Sequence, residues 1–209
     1  MDVVRTITQL KQHYPHAKYY LHFSNPLELM IAAILSAQVK DTAVNAATSA
    51  LFKKYRTAHA YANADVEELI SYVKGITFAG TKARNIKKAC QLLVERHGGN
   101  VPDTMDELVA LPGIGRKTAN AVLINGFNKT VGIPVDTHVM RLAYRFGWTK
   151  QKDADKIEQD LMQIIPKTTW KKIGSLLKDH GRAICTAPVP SCSHCFLKNA
   201  CPKQGVTRH

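Results

Sequence analysis

Stretch after stretch of this chain opens with a residue that caps a helix, and no stretch alternates polar and apolar residues well enough to pair as strands. "NPLELMIAAILSAQ" offers Asn25 as a cap, Pro26 at the first helical position and Glu28 three residues after the cap. "DVEELISYVKG" and "TMDELVAL" repeat the capping-box logic with Asp65/Glu68 and Thr104/Glu107. Further helical periods run through 41 to 55, 81 to 97, 116 to 125, 136 to 147, 154 to 165 and 168 to 180, most of them closed by Gly or Pro. This predicts an all-α fold. There is no low-complexity segment or long-period repeat, and the connections are short, so no flexible linker is expected. A chain of 209 residues that is 45% hydrophobic can bury one sizeable core or two small cooperating ones.

Charge narrows the partner. Lys and Arg number 29 against 16 Asp and Glu, a net +13 that points to an anion, with nucleic acid ahead of a membrane surface. The excess is not a detachable tail: residues 1 to 131 hold 16 basic and 10 acidic residues, and residues 132 to 209 hold 13 and 6. The longest wholly apolar run, Leu29 to Leu35, is too short to cross a bilayer, and "MDVVRTITQLKQHYP" lacks a signal-peptide pattern. A cytoplasmic protein is expected, nucleoid-associated if bacterial, with no membrane partner and acting as a monomer. Five cysteines, an odd count in a reducing compartment, make a poor disulfide framework.

Four of them, Cys185, Cys192, Cys195 and Cys201, fall in the last 25 residues with the spacing C-x6-C-x2-C-x5-C. A loop this short and poor in large apolar residues can be held together by four thiolates on one metal centre. Zinc and iron-sulfur both accept such ligation, and spacing does not choose between them. Cys90 lies inside a helical pattern and reads as a small core residue. His194, between two ligands, is not needed to fill the shell.

"TMDELVAL", "PGIG" and "RKTANAVLING" read as helix, hairpin, helix. Such a hairpin aims backbone N–H groups outward with a helix N-terminus behind them, which makes an anion site. Gly113 and Gly115 are expected to serve close phosphate approach and unusual φ angles. Lys117 sits on the first turn, where the macrodipole disfavours a cation. Phosphate contact is one reason for that placement and nucleophilic chemistry another. The second needs the neutral amine, of which a lysine with pKa near ~10.4 has about one part in 2,500 at pH 7. Asp136, in "PVDTHVMRLAYRFG", caps the next helix and stays ionised there, which also suits a base or the stabiliser of a cation.

"LSAQVKD", "LPGIGRKTAN", "VDTHV" and "HGRAIC" followed by the cysteine spacing resemble, in the same order and over nearly the whole chain, the endonuclease III family of helix-hairpin-helix DNA glycosylases and AP lyases. The resemblance implies two lobes: a six-helix barrel over 19 to 131, with the helix-hairpin-helix at 104 to 125, and a cluster lobe made of 1 to 18 with 132 to 209. It implies that the four-cysteine loop at 185 to 201 holds a [4Fe-4S] cluster, and that the partner is double-stranded DNA with damaged bases or abasic sites. By the same resemblance Lys117 attacks C1′ of the damaged nucleotide and Asp136 assists it. Oxidised pyrimidine bases then leave through a lysine Schiff base, and β-elimination nicks the strand in base excision repair.

An extruded base leaves a hole to fill. By family position Gln38 is the plug, and Phe78, in "GITFAGTKARN", falls where an apolar wedge is expected. Gln38 as a helix-end cap and Phe78 as core are the plain readings of the same residues. Arg84, Lys87 and Lys88 share a helix face at i, i+3, i+4 and form either a phosphate stripe or a solvated one. Lys198 and Lys203 are expected near phosphate on the cluster lobe. Three rivals remain: an adenine glycosylase, which should carry a carboxylate in the helix where Ala33 and Ile34 stand; a relative for thymine mismatches, alkylated purines or pyrimidine dimers; and a non-catalytic DNA-binding module, against which Lys117 and Asp136 both argue.

Overall fold

In a computed structural model, residues 1 to 208 are described, and all regular structure among them is helical. The helices are α1 (Val3–His13), α2 (Pro26–Leu35), α3 (Asp41–Lys54), α4 (Ala58–Asn63), α5 (Val66–Val73), α6 (Ala79–His97), α7 (Met105–Val109), α8 (Arg116–Gly126), α9 (Thr137–Arg145), α10 (Ala154–Ile164) and α11 (Trp170–Ala183), with short 3-10 turns at Lys167–Thr169 and Cys192–His194. The chain falls into two compact units, one of Tyr20–Lys129 and one of Met1–Tyr19 with the chain from Thr130 onward. No helix among the described residues is long and apolar enough to cross a membrane.

Two of the three predicted caps form, at Asn25 and Asp65, but the boxes do not close. The Asn25 and Asp65 side chains accept the N–H groups of Glu28 and Glu68, as caps should. Neither glutamate then returns to the cap. Glu28 Oε2 accepts the N–H of Ser24 at 2.6 Å, and Glu68 takes the Tyr55 hydroxyl at 2.7 Å and Lys54 Nζ at 3.1 Å. Thr104 departs further, because its hydroxyl donates to the Glu107 carboxylate and accepts no backbone N–H. Helix α4, six residues long, has no counterpart in the sequence reading; its signal is the Thr57 cap.

In the Tyr20–Lys129 unit, α2 is the central strut. Every residue from Leu29 to Leu35 is buried, and α2 packs on α3, α6 and α8. A helix apolar on all sides must lie in a core, because no face of it gains from water. In the other unit, α9 and α11 pack together, with α1 against α11 and α10 against α9. Their core holds Val139, Leu142, Phe146, Ile173, Leu176 and Leu177, to which α1 adds Ile7 and Leu10. Gly181 lets α9 and α11 close: a Cβ there would lie 2.8 Å from His138 Nδ1 and 2.9 Å from Arg141 Nη2.

Candidate active site and cysteine-lined cavity

Residues 110 to 115 turn α7 into α8. Leu111 and Ile114 are buried, and the Ile114 N–H donates to the Leu111 carbonyl at 3.1 Å, so two apolar side chains pin the hairpin while its glycines stay exposed. The glycines differ in what demands them. Gly113 has φ +83°, and a Cβ on it would crowd Asn85 Nδ2 at 3.2 Å and Ile34 Cγ2 at 3.3 Å. Gly115 has an ordinary extended backbone, φ −94° and ψ 175°, and a Cβ there would meet nothing within 4 Å. Of the two glycines expected to need an unusual φ, one does. Gly115 caps α8, which starts without a side-chain cap, and Lys117 follows as an exposed residue of the first turn.

Asp136 caps α9 with one oxygen. Its Oδ1 accepts the N–H groups of His138 and Val139, each at 2.9 Å, and the residue is half-buried. Arg141 Nη2 donates to His138 Nδ1 at 3.1 Å. Burial, ahead of neighbouring cations, holds the His138 pKa below the usual imidazole value. His138 is therefore neutral at pH 7.

Gln38 and Phe78 both stand on turns with left-handed backbone, at φ 58° and 59°. Both are exposed, Phe78 to 64%. The plain reading of Phe78 as core fails, since its ring projects from the start of α6. Gln38 follows the end of α2 and caps neither neighbouring helix. The basic stripe of α6 is divided. Arg84 and Lys88 are exposed, but Lys87 Nζ donates to the Ala64 carbonyl at 2.8 Å, which ties it to the end of α4. Cys90 is fully buried, and burial pushes its thiol up to about 12.

The four terminal cysteines line one pocket that Arg145 and His180 share. Arg145 is buried; its Nη1 lies 3.2 Å from Cys185 Sγ and also donates to the Cys185 and Thr186 carbonyls, while Nη2 donates to that of Pro188. The Leu197 N–H points at Cys195 Sγ at 3.4 Å. His180 Nε2 lies 3.6 Å from the same sulfur, and its Nδ1 is 3.0 Å from the Tyr14 hydroxyl. Burial lowers His180 to about 4, so the ring is neutral. With Nε2–H directed to sulfur, Nδ1 accepts from Tyr14. Phe196 stacks on His13 with ring centroids 3.6 Å apart, and so α1 is clamped to the cysteine loop. Lys198 and Lys203 border this cavity, and Lys198 Nζ donates to Ser193 O at 3.3 Å. His194 is exposed and pairs with the Ser193 hydroxyl. Among the described residues no three His, Cys, Asp or Glu side chains converge to hold a single metal ion.

Sequence reasoning passed over Arg145, His180 and Lys82. The signal for Arg145 was available: in "VMRLAYRFG" two arginines stand four apart on a helix otherwise apolar on that side, and buried arginines require acceptors.

Residues 31–167 match the family model described as the HhH-GPD superfamily base excision DNA repair protein. Together with the α7–α8 hairpin and the all-helical fold, this defines the class as helix-hairpin-helix base excision repair proteins. The chain is 45% identical over 193 residues to endonuclease III of Synechocystis sp., covering 92% of this chain and 88% of the relative. It also aligns with a solved structure of a trapped endonuclease III–DNA covalent intermediate, at TM-score 0.91 and 40% identity, over 96% of this chain and 94% of that one. A thermostable thymine-DNA glycosylase shares the fold at TM-score 0.85 and 19% identity, over 96% of this chain and 95% of that one. This chain belongs to the endonuclease III family.

Proposed function

We propose that this base excision repair DNA glycosylase and AP lyase removes oxidised pyrimidine bases from duplex DNA through a Schiff base on Lys117. The observation that carries the reading is the fold-wide likeness to an endonuclease III held covalently to DNA, with a primary amine on the first turn after the hairpin. Among the side chains here, an amine alone forms an imine with a sugar aldehyde.

In the proposed reaction the neutral Lys117 amine attacks C1′ of the extruded nucleotide. The C1′–N bond breaks, and the base leaves with the bonding pair and takes up a proton. Opening of the sugar ring gives the imine. Loss of a C2′ proton then expels the 3′ phosphate, and water releases the lysine. Asp136 takes the proton that Lys117 gives up and balances the developing sugar cation. The Gly115 position, open to a ligand and backed by the α8 N-terminus, receives a backbone phosphate.

Cys185, Cys192, Cys195 and Cys201 fit a [4Fe-4S] cluster. A tetrahedral zinc site would draw four sulfurs to about 3.8 Å from one another. Here the four cysteines line one pocket, and among the described residues no three converge on one point, which suits a polynuclear group. Such a cluster would hold the loop in shape; no step above is routed through it. The site of action is inside the cell, on chromosomal DNA.

The test is borohydride reduction during turnover on a panel of lesions. Covalent protein–DNA product with oxidised pyrimidines, lost in Lys117→Gln, is expected. Trapping confined to thymine mismatches, alkylated purines or dimers would move the lesion class, and DNA binding without trapping on any substrate would leave a binding module.

A further inference from the structure

One buried cation takes no part in the chemistry above. Lys82, on the first turn of α6, is 6% exposed, and burial holds its pKa below the usual lysine value. Its Nζ donates to the Leu35 carbonyl at 2.8 Å and to the Ala37 carbonyl at 2.6 Å. Leu35 is the last residue of α2, and neither carbonyl receives a backbone N–H from another described residue. The ammonium therefore serves acceptors that the end of a helix leaves unpaired, at the negative end of its dipole. The backbone N–H of the same residue donates to the Phe78 carbonyl at 3.0 Å.

Lys82 thus holds two turns at once. Ala37 immediately precedes Gln38, and both Gln38 and Phe78 carry left-handed backbone that side chains with a Cβ adopt when their surroundings fix it. Both side chains stand exposed. We infer that Lys82 is a positioning residue for insertion into DNA: its ammonium fastens the Gln38 turn and its backbone N–H fastens the Phe78 turn, so that plug and wedge reach the duplex as a preset pair. Ordering both turns before binding removes that cost from the encounter with DNA. A lysine suits the task, because a compact ammonium on a long stem serves two carbonyls from one point.

The inference rests on Gln38 and Phe78 being the inserting residues, and the test separates the two claims. Full-length protein is compared on an abasic site in duplex and in single-stranded DNA. The Lys117 chemistry is common to both substrates, but a single strand leaves no hole to fill. Lys82→Met is expected to lose about tenfold in duplex nicking while single-strand nicking stays within about twofold. The fluorescence of 2-aminopurine beside the lesion should lose its enzyme-induced rise in parallel. Lys82→Gln keeps one donor group; it covers the case in which the Met variant does not fold, and should show a smaller loss in the same direction. A folded Lys82 variant with the wild-type duplex-to-single-strand ratio overturns the assignment, as does an equal fall on both substrates, which marks a purely structural role. A lowered ratio in Gln38→Ala and Phe78→Ala beside an unchanged one in folded Lys82→Met overturns Lys82 alone. Wild-type ratios in both Gln38→Ala and Phe78→Ala overturn the insertion reading and the role of Lys82 with it.

Discussion

In the proposed reaction Asp136 divides its work between two oxygens. Oδ1 is committed to the two N–H groups at the start of α9, which leaves Oδ2 for chemistry. Asparagine can supply the first function and not the second, since its carbonyl oxygen caps a helix equally well but carries no charge. Asp136→Asn should therefore melt within a few degrees of wild type yet release the base about a hundredfold more slowly, the range seen when a developing charge loses its stabiliser. Melting curves and single-turnover base release check both halves; a normal rate would reduce Asp136 to a cap. The hairpin glycines separate in the same way. Gly115→Ala should fold normally, as open space surrounds its new methyl, and should bind DNA less tightly. Gly113→Ala should lose about 1 kcal/mol or more of stability from left-handed backbone alone, before crowding by Asn85 and Ile34 is added. Sequence reasoning singled out both glycines but not this division, because "PGIG" states neither φ nor neighbours.

At the scale of elements, the sequence showed helices well and their tertiary ties poorly. Caps and period are local, so α2, α5 and α8 could be read from letters within one turn of their starts. The second half of the Asp65 box failed for a non-local reason: Glu68 finds Tyr55 and Lys54, thirteen and fourteen residues away, and a stronger partner outside the helix wins. Lys82 was invisible for the same cause, and Arg145 was passed over despite its apolar surroundings, since a charged letter in a helix ordinarily means solvent. Arg145 is the clearest case. From α9 it serves the carbonyls of Cys185, Thr186 and Pro188 together, and this fixes the entry to the cysteine loop. Arg145→Met should cost on the order of 3 kcal/mol, because several buried acceptors lose a charged donor. Thermal unfolding and iron content measured on the same preparation check it. Full stability with a full complement of iron would show that the loop holds itself.

At the scale of the molecule, a net +13 should appear as steep salt dependence of binding to undamaged duplex. Substituting Arg84 or Lys88 by Gln should lower the slope of log affinity against log salt by about one for each phosphate left without its cation. Lys87→Gln should lower it less, since its ammonium is engaged by Ala64. Equal slopes for all three variants would return the stripe to solvent. Protein purified without reductive stripping should be brown, with about four iron atoms per chain and visible thiolate-to-iron absorption. A colourless protein with one zinc would refute the cluster.

The unit that carries the cysteines is interrupted in sequence: its first helix is separated from the rest by the whole of Tyr20–Lys129. During synthesis the intervening unit has all its residues while α9 and α11 are still unmade, and domains generally fold as units in order of emergence. Helix α1 must therefore wait, amphipathic and unpartnered, until α11 and the cysteine loop arrive to receive Leu10, Tyr14 and His13. The cysteine loop follows α11 in the chain, so the docking of the first helix waits on the segment that carries the thiols. A nascent chain stalled short of Cys201 would have the unit that carries Lys117 complete and its N-terminus still adrift.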